Sequence, residues 1–480
     1  MPRRYLTFVL LFLVLSVVIF LLVEQLGFRV EPYWITLPTL CILPAMLVIR
    51  RFPASLIPPV IFIGNFKTRP AASSLDLRDP TLWALCLLLA TMLVHALLAF
   101  AGIDQRSLRD RVRAQREGII TYLFFVGVVA FSYAYSLAPE YGFSELTHFL
   151  VIGSALYFSS LFLVRSENDI RHFTTSALLL SVILTAQRFV DVMHYSETAL
   201  PGEGAVEDLT RIGAGGLLGM TMLLLLLTPT SMRVRVPRQL LLLCIPWLAA
   251  GLTLSVARGP LLSFFLIVVI SLFASKRDTG LLPRKLIAVG LVLLLIPTFL
   301  VSLSWLQNFA PGKVEGKKEE LAKLLEFSNP GGSAGGRLEL YSKALEGFAE
   351  KPFMGWGLGS FSVYETGVDT REYPHNLVLQ IAMEQGLAGL VALAVFSVAL
   401  VGALKKTVAA TQGEWVFLVW IVLYLISTSM FSGDLDDQRP LVLWCGMAFA
   451  SWRILKLRSE ERRALWAHCQ GRSAHAAASF

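Results

Sequence analysis

NLVLQIAMEQGLAGLVALAVFSVALVGAL, residues 376–404, decides the fold. It carries a single charged residue, Glu384, in a run longer than the roughly 20 apolar residues that cross a bilayer core as a helix. Lys405 and Lys406 close it. Runs of the same character recur near 5–27, 33–49, 81–102, 119–138, 146–164, 173–193, 212–229, 239–257, 260–275, 286–306, 414–432 and 440–455. The whole chain agrees: of 480 residues, 55% are hydrophobic and only 16% charged. Mean hydropathy is +0.64, whereas soluble domains carry about 25% charged residues. A soluble enzyme is excluded. The reading is an all-α polytopic transmembrane helix bundle of about 12–14 spans.

The basic residues orient it. Lys and Arg total 42 against 34 Asp and Glu, a net charge of +8. Short loops rich in Lys and Arg stay on the cytoplasmic side. Arg3 and Arg4, Arg50 and Arg51, the run Arg106 to Arg116, Arg233 to Arg238, Lys276 to Lys285, Lys405 and Lys406, and the tail from Arg453 to Arg463 all mark inside. Most of the basic excess is therefore topology, and nucleic acid is not needed to explain it. Both termini inside requires an even number of crossings. The Pro-broken piece 54–66, ASLIPPVIFIGNF, must then cross as well, which gives fourteen spans. The first run follows Met-Pro-Arg-Arg but continues too long without a small-residue cleavage site, so it reads as an anchor rather than a removed signal. Cys41, Cys86, Cys244, Cys445 and Cys469 form no CxxC pair, which argues against a disulfide framework or structural zinc.

This topology divides the chain into N-terminal spans (1–306), an outside loop (307–374), C-terminal spans (375–455) and a basic cytoplasmic tail (456–480). Two stretches of the loop, 315–327 and 337–350, have one apolar and one charged side, which suits helices lying on a membrane surface or capping a cavity. The Gly-rich hinge NPGGSAGG, 329–336, joins them.

Ionisable groups within apolar spans are costly and so mark function by default. Arg188 and Asp191 lie in the outer third of 173–193, and Arg211 opens 212–229. Arg258 sits in the outward hairpin VARGP, and His375 begins the span after the large loop. The orientation, derived from other residues, puts all of them at the outer face. Guanidinium is a permanent cation whose planar fork matches phosphate oxygens. Histidine can take a proton from an attacking hydroxyl near neutral pH. Together they suggest group transfer from a phosphate-activated lipid to an acceptor hydroxyl. Plainer readings stand beside this one: Arg188 and Arg211 as snorkelling anchors, Arg188 paired with Asp191, and His375 as a helix-start residue with Asn376 as cap.

Other features read as structural. Gly355, Gly357 and Gly359 in MGWGLGS imitate a phosphate loop, but no Lys-Ser/Thr follows and a tight turn is expected. Asp434, Asp436 and Asp437 read as a solvated loop rather than a cation site, and His95 and His148 as packed or interfacial.

From Gly336 the sequence runs GRLELYSKALEGFAEKPFMGWGLGSF, and from His375 it runs HNLVLQIAMEQGLAG. This resembles the bacterial O-antigen ligase and polymerase superfamily, chiefly over 180–430 and most closely the O-antigen ligases. Their pattern of His, Asn/Ser/Gln, nine residues, Gly, two residues, Gly/Thr/Tyr is met by His375, Asn376, Gly386 and Gly389. The family's T-x-S-R-G looks like TLSVARG here, with Arg258 as its arginine and a two-residue departure before it.

The resemblance implies a metal-independent, inverting glycosyltransferase of GT-C type in the bacterial inner membrane, active on the periplasmic face and needing no cofactor. The implied donor is a glycan on undecaprenyl pyrophosphate. The acceptor is a lipid A-core sugar for a ligase, or another repeat unit for a polymerase. Arg258, Arg211 and Arg188 would hold the pyrophosphate with Arg337 reaching in from the loop, His375 would be the general base, and lipid grooves would hold the polyprenyl tail. The chain has more spans than the ligases usually carry, which leaves ligase and polymerase both open. Only a short tail follows the last span, which argues against protein glycosylation. A lipid-linked glycan transporter is the rival of another class, but the polar residues gather at one face rather than the midplane and no internal repeat is visible.

Overall fold

A computed structural model describes residues 51–66, 80–100, 108–194, 204–229, 232, 238–255, 257–274, 290, 333–431 and 434–477. The expected spans near 5–27, 33–49 and 286–306 and the stretch 315–327 lie outside these residues. Helices and turns account for the described chain, with no strand among the described residues. The all-α membrane architecture is thereby established.

In chain order the helices are α1 (Pro53–Phe66), α2 (Pro80–Phe100), α3 (Leu108–Ala114), α4 (Arg116–Tyr133), α5 (Pro139–Leu163), α6 (Glu167–His194), α7 (Gly204–Leu227), α8 (Arg238–Leu254), α9 (Arg258–Ala274), α10 (Ser333–Glu350), α11 (Phe361–Thr366), α12 (Leu377–Ala410), α13 (Glu414–Ser429) and α14 (Arg439–Ala477). Six of these segments are individually long and apolar enough to cross a membrane. They lie in α2, α4, α5, α6, α12 and α14. The apolar parts of α1, α7, α8, α9 and α13 are shorter.

The segment expected to cross at 54–66 is α1, two turns of 3-10 helix flanking an α-helical turn that starts at Ile57-Pro58-Pro59. At ~1.5 Å per residue it falls short of the ~30 Å hydrocarbon core. Ala54, Ile57 and Phe62 are fully buried, so α1 is an interior piece packed on α6 rather than a lipid-facing span.

Side chains turned outward are large and apolar: Leu93 on α2, Phe273 on α9 and Val398 on α12 are 60%, 76% and 73% exposed. Water would penalise such a surface, and lipid does not. Inside, α4, α5, α12 and α14 close on an aromatic cluster. Tyr122 stacks on Tyr157 at 3.9 Å, and Phe396 and Phe449 pack against Tyr157. Lipid tails supply no hydrophobic drive between helices, so hydrogen bonds add adhesion. Tyr157 donates to the Gly118 carbonyl (2.8 Å), Ser181 to Thr221 (2.8 Å), and Tyr424 to the Gly216 carbonyl (3.2 Å).

Arg453, read as part of a cytoplasmic marker, is 1% exposed and donates to the carbonyls of Leu161 and Val164 at the end of α5. It satisfies helix-terminal acceptors that would otherwise be orphaned. At the same end Lys406 meets Glu117, while Tyr135 and Ser136, beyond the far end of α4, bond to the 354–360 turn. α4 and α12 therefore run antiparallel, and the turn, His375 and the 430–438 connection share one end of the bundle.

Candidate active site

The family-like motif of the sequence builds a break in a helix. Gly386 adopts φ 64° and ψ −154° inside α12, a conformation essentially confined to glycine. The break frees backbone groups of α12 on both sides, and the preceding turn takes them. Leu387 and Ala388 donate to the carbonyls of Pro352 and Phe353 at 2.7 and 3.1 Å. Trp356 and Gly357 donate to those of Met383 and Glu384 at 3.1 and 2.8 Å. A Cβ on Gly386 would lie 2.6 Å from the Phe353 carbonyl carbon. Gly355, Gly357 and Gly359 all have positive φ and form the expected tight turn. Their backbones are occupied in fastening it, which rules out a phosphate loop.

That clamp fixes the start of α12. Asn376 is its N-cap, accepting from the amides of Val378 and Leu379 at 3.1 Å each. Its side-chain NH2 donates to the Met430 carbonyl at 3.4 Å. His375 immediately precedes the cap with φ 51°, a left-handed conformation unusual for a residue with a Cβ. Its ring lies 4.5 Å from that of Tyr373, and its Nδ1 is buried without a hydrogen-bond partner among the described residues.

Burial, then the Arg337 cation, depress the His375 pKa to about 4, partly countered by Asp434. The imidazole is therefore held in its neutral form across the physiological range. Tyr373 is shifted up by burial and by the nearby Asp437 and Asp434 carboxylates.

The acidic group expected to be solvated is instead an ion-pair core. Asp434 is fully buried. It accepts from Arg371 Nε (2.9 Å) and from the Tyr141 hydroxyl (2.6 Å). Arg371 Nη2 reaches Asp437 at 3.1 Å. Burial works against the Arg371 charge, but Asp434 and Asp437 outweigh it and hold the guanidinium pKa well above its usual value. Arg439 forks onto both oxygens of Asp436 (2.7 and 2.8 Å), and His148 Nδ1 lies 3.2 Å from the same carboxylate. No histidine neighbours these aspartates in sequence, yet the fold supplies one. No His/Cys/Asp/Glu group able to hold a metal ion occurs among the described residues.

Beside this core lies a cavity of about 220 Å³. Its lining includes Asn65 of α1, Ile212 and Gly216 of α7, Pro260 of α9, and Arg371, Asp437 and Arg439. Arg211 precedes the lining residue Ile212, and Arg258 opens α9 two residues before the lining residue Pro260. The side chains of Arg211, Arg258 and Asp191 lie outside the described residues. Arg188 is buried, and one of its nitrogens donates to the Asn65 carbonyl at 3.3 Å, on the α1 segment that lines the cavity. Arg337, on α10, is close enough to act electrostatically on His375 and Tyr373. Among the described side chains, Arg337 therefore acts on His375, and Arg188 bonds to the α1 segment that lines the cavity. Arg371, Tyr373 and Asp434 were not anticipated. Their sequence signal was slight, an arginine four residues before His375 and an acid-rich connection after α13.

Fold and site together define a polytopic membrane protein with a cavity lined by Arg371, Arg439, Asp436 and Asp437 at the end of the bundle that carries His375. Residues 240–394 match the family model described as O-antigen ligase, which bears out the resemblance. That match supports a membrane enzyme of the O-antigen ligase or polymerase type. No curated protein matches the chain.

Proposed function

We propose that the protein transfers a glycan from undecaprenyl pyrophosphate to a sugar hydroxyl of the lipid A-core on the periplasmic face of the bacterial inner membrane. The observation that carries this reading is His375, set in a left-handed conformation just before α12 inside the matched segment, with Arg337 of α10 acting on its ring. The His375 imidazole takes the proton of the acceptor hydroxyl as its oxygen bonds to the anomeric carbon. The bond from that carbon to the pyrophosphate oxygen breaks in line, which inverts the centre. Arg258, Arg211, Arg188 and Arg337 stabilise the departing diphosphate charge, so neither metal nor cofactor enters the reaction. The polyprenyl chain stays in lipid between the helices. Asn376, Gly386 and Gly389 belong to the framework that holds the histidine.

Polymerisation is the second reading, because the motifs of the sequence resemble both types of enzyme. Purified protein given lipid-linked glycan and acceptor lipopolysaccharide in chelator should form the conjugate. Donor alone yielding a longer lipid-linked chain would assign a polymerase instead. Undiminished turnover in both His375→Ala and Arg258→Ala would remove the mechanism.

A further inference from the structure

We propose that Arg371 and Asp434 form a positioning pair that holds His375 in its working orientation and sets the charge around its ring. The inference rests on His375 being the base. The strap 371–376 is fastened at both ends to the connection between α13 and α14. At one end Arg371 binds Asp434 (2.9 Å) and Asp437 (3.1 Å). At the other, Asn376 donates to the Met430 carbonyl at 3.4 Å. Between these anchors Tyr373 is 6% exposed, packs its ring on His375 at 4.5 Å, and has the Arg371 guanidinium 5.8 Å from its ring centroid.

A residue with a Cβ holds φ 51° only where its surroundings enforce it, and the two anchors are that enforcement. Asp434 is itself immobilised. Beyond Arg371 and Tyr141, its Oδ1 accepts from the Asp437 amide (3.0 Å) and its carbonyl accepts from Gln438 (3.0 Å). The pair thus transmits a rigid turn to the histidine.

The charged groups acting on the His375 ring are Arg337 from α10, Asp434 from the connection, and Arg371 from the strap. The cations disfavour the imidazolium and the carboxylate favours it. Breaking the pair from its two sides therefore has opposite electrostatic consequences, which loss of packing alone would not produce.

The test compares Arg371→Gln, Asp434→Asn, Arg371→Lys and His375→Ala in the full-length protein, with kcat, donor KM and the pH profile of kcat. For both pair variants kcat should fall about tenfold or more with donor KM nearly unchanged. The acid limb should move to higher pH in Arg371→Gln and to lower pH in Asp434→Asn. Arg371→Lys, which keeps the cation but not the fork, should retain the wild-type limb and recover part of the rate. Should Asp434→Asn fail to fold, the limb and KM of Arg371→Gln and Arg371→Lys decide alone. A raised donor KM with unchanged kcat would make Arg371 a substrate contact and overturn the pair, as would limbs that stay fixed or move together. Retained turnover in His375→Ala would instead overturn the base on which the inference rests.

Discussion

The Asn376 side chain joins the first turn of α12 to the Met430 carbonyl, accepting two helix amides on one side and donating across 3.4 Å on the other. One residue thus caps the helix and ties it to the connection that carries Asp434. His375, directly before it, has φ 51°.

The His375 environment has a consequence for pH. An ordinary histidine loses its capacity as a base below its pKa of ~6.5. Here burial and Arg337 lower that threshold to about 4. Turnover should therefore persist from neutral pH to about pH 5, with an acid limb near 4 in the kcat profile. Stability follows the same linkage. The unfolded chain binds the proton more readily than the fold, so the contribution of His375 is complete above ~6.5 and is lost as pH falls toward 4. An acid limb at 6 or above would contradict the buried environment.

Gly386→Ala should be among the most damaging single-methyl additions to the protein. It forces an L-residue to φ 64°, ψ −154° and drives its Cβ to 2.6 Å from the Phe353 carbonyl carbon. Backbone strain alone costs on the order of 1–3 kcal/mol, before any clash. Thermal unfolding in detergent should show a clear fall in Tm. Hydrogen exchange should show faster exchange at Trp356 and Gly357, whose amides bond to the first part of α12. Gly402→Ala, on the same helix with no heavy atom within 4 Å of the added Cβ, is the control and should leave Tm unchanged.

Gly216 offers a place to test the cavity. Gly216 lines it, and a Cβ there meets nothing within 4 Å. Gly216→Leu should fold with wild-type Tm yet lower turnover by about tenfold or more, equivalent to roughly 1.4 kcal/mol in the barrier. Full activity in a folded Gly216→Leu protein would move the donor site elsewhere.

Long apolar runs need no tertiary information to be recognised, since each helix satisfies its own backbone hydrogen bonds in lipid. The sequence therefore sufficed for the membrane class, for the place in the chain of the long apolar helices though not for all their ends, and for His375, Asn376 and Gly386 as a motif. It could not show what Gly386 does, because the turn that occupies the broken helix begins more than thirty residues earlier at Pro352. It misread Asp434 as solvated for the same reason. A carboxylate next to other carboxylates looks exposed until a distant arginine and tyrosine arrive to bury it. Nor could hydropathy tell that α1 stays inside the bundle, since an interior helix and a lipid-facing one are equally apolar. Periodicity and hydropathy report the solvent of each segment, whereas charge pairing and helix breaks depend on contacts between segments, which only the folded bundle creates.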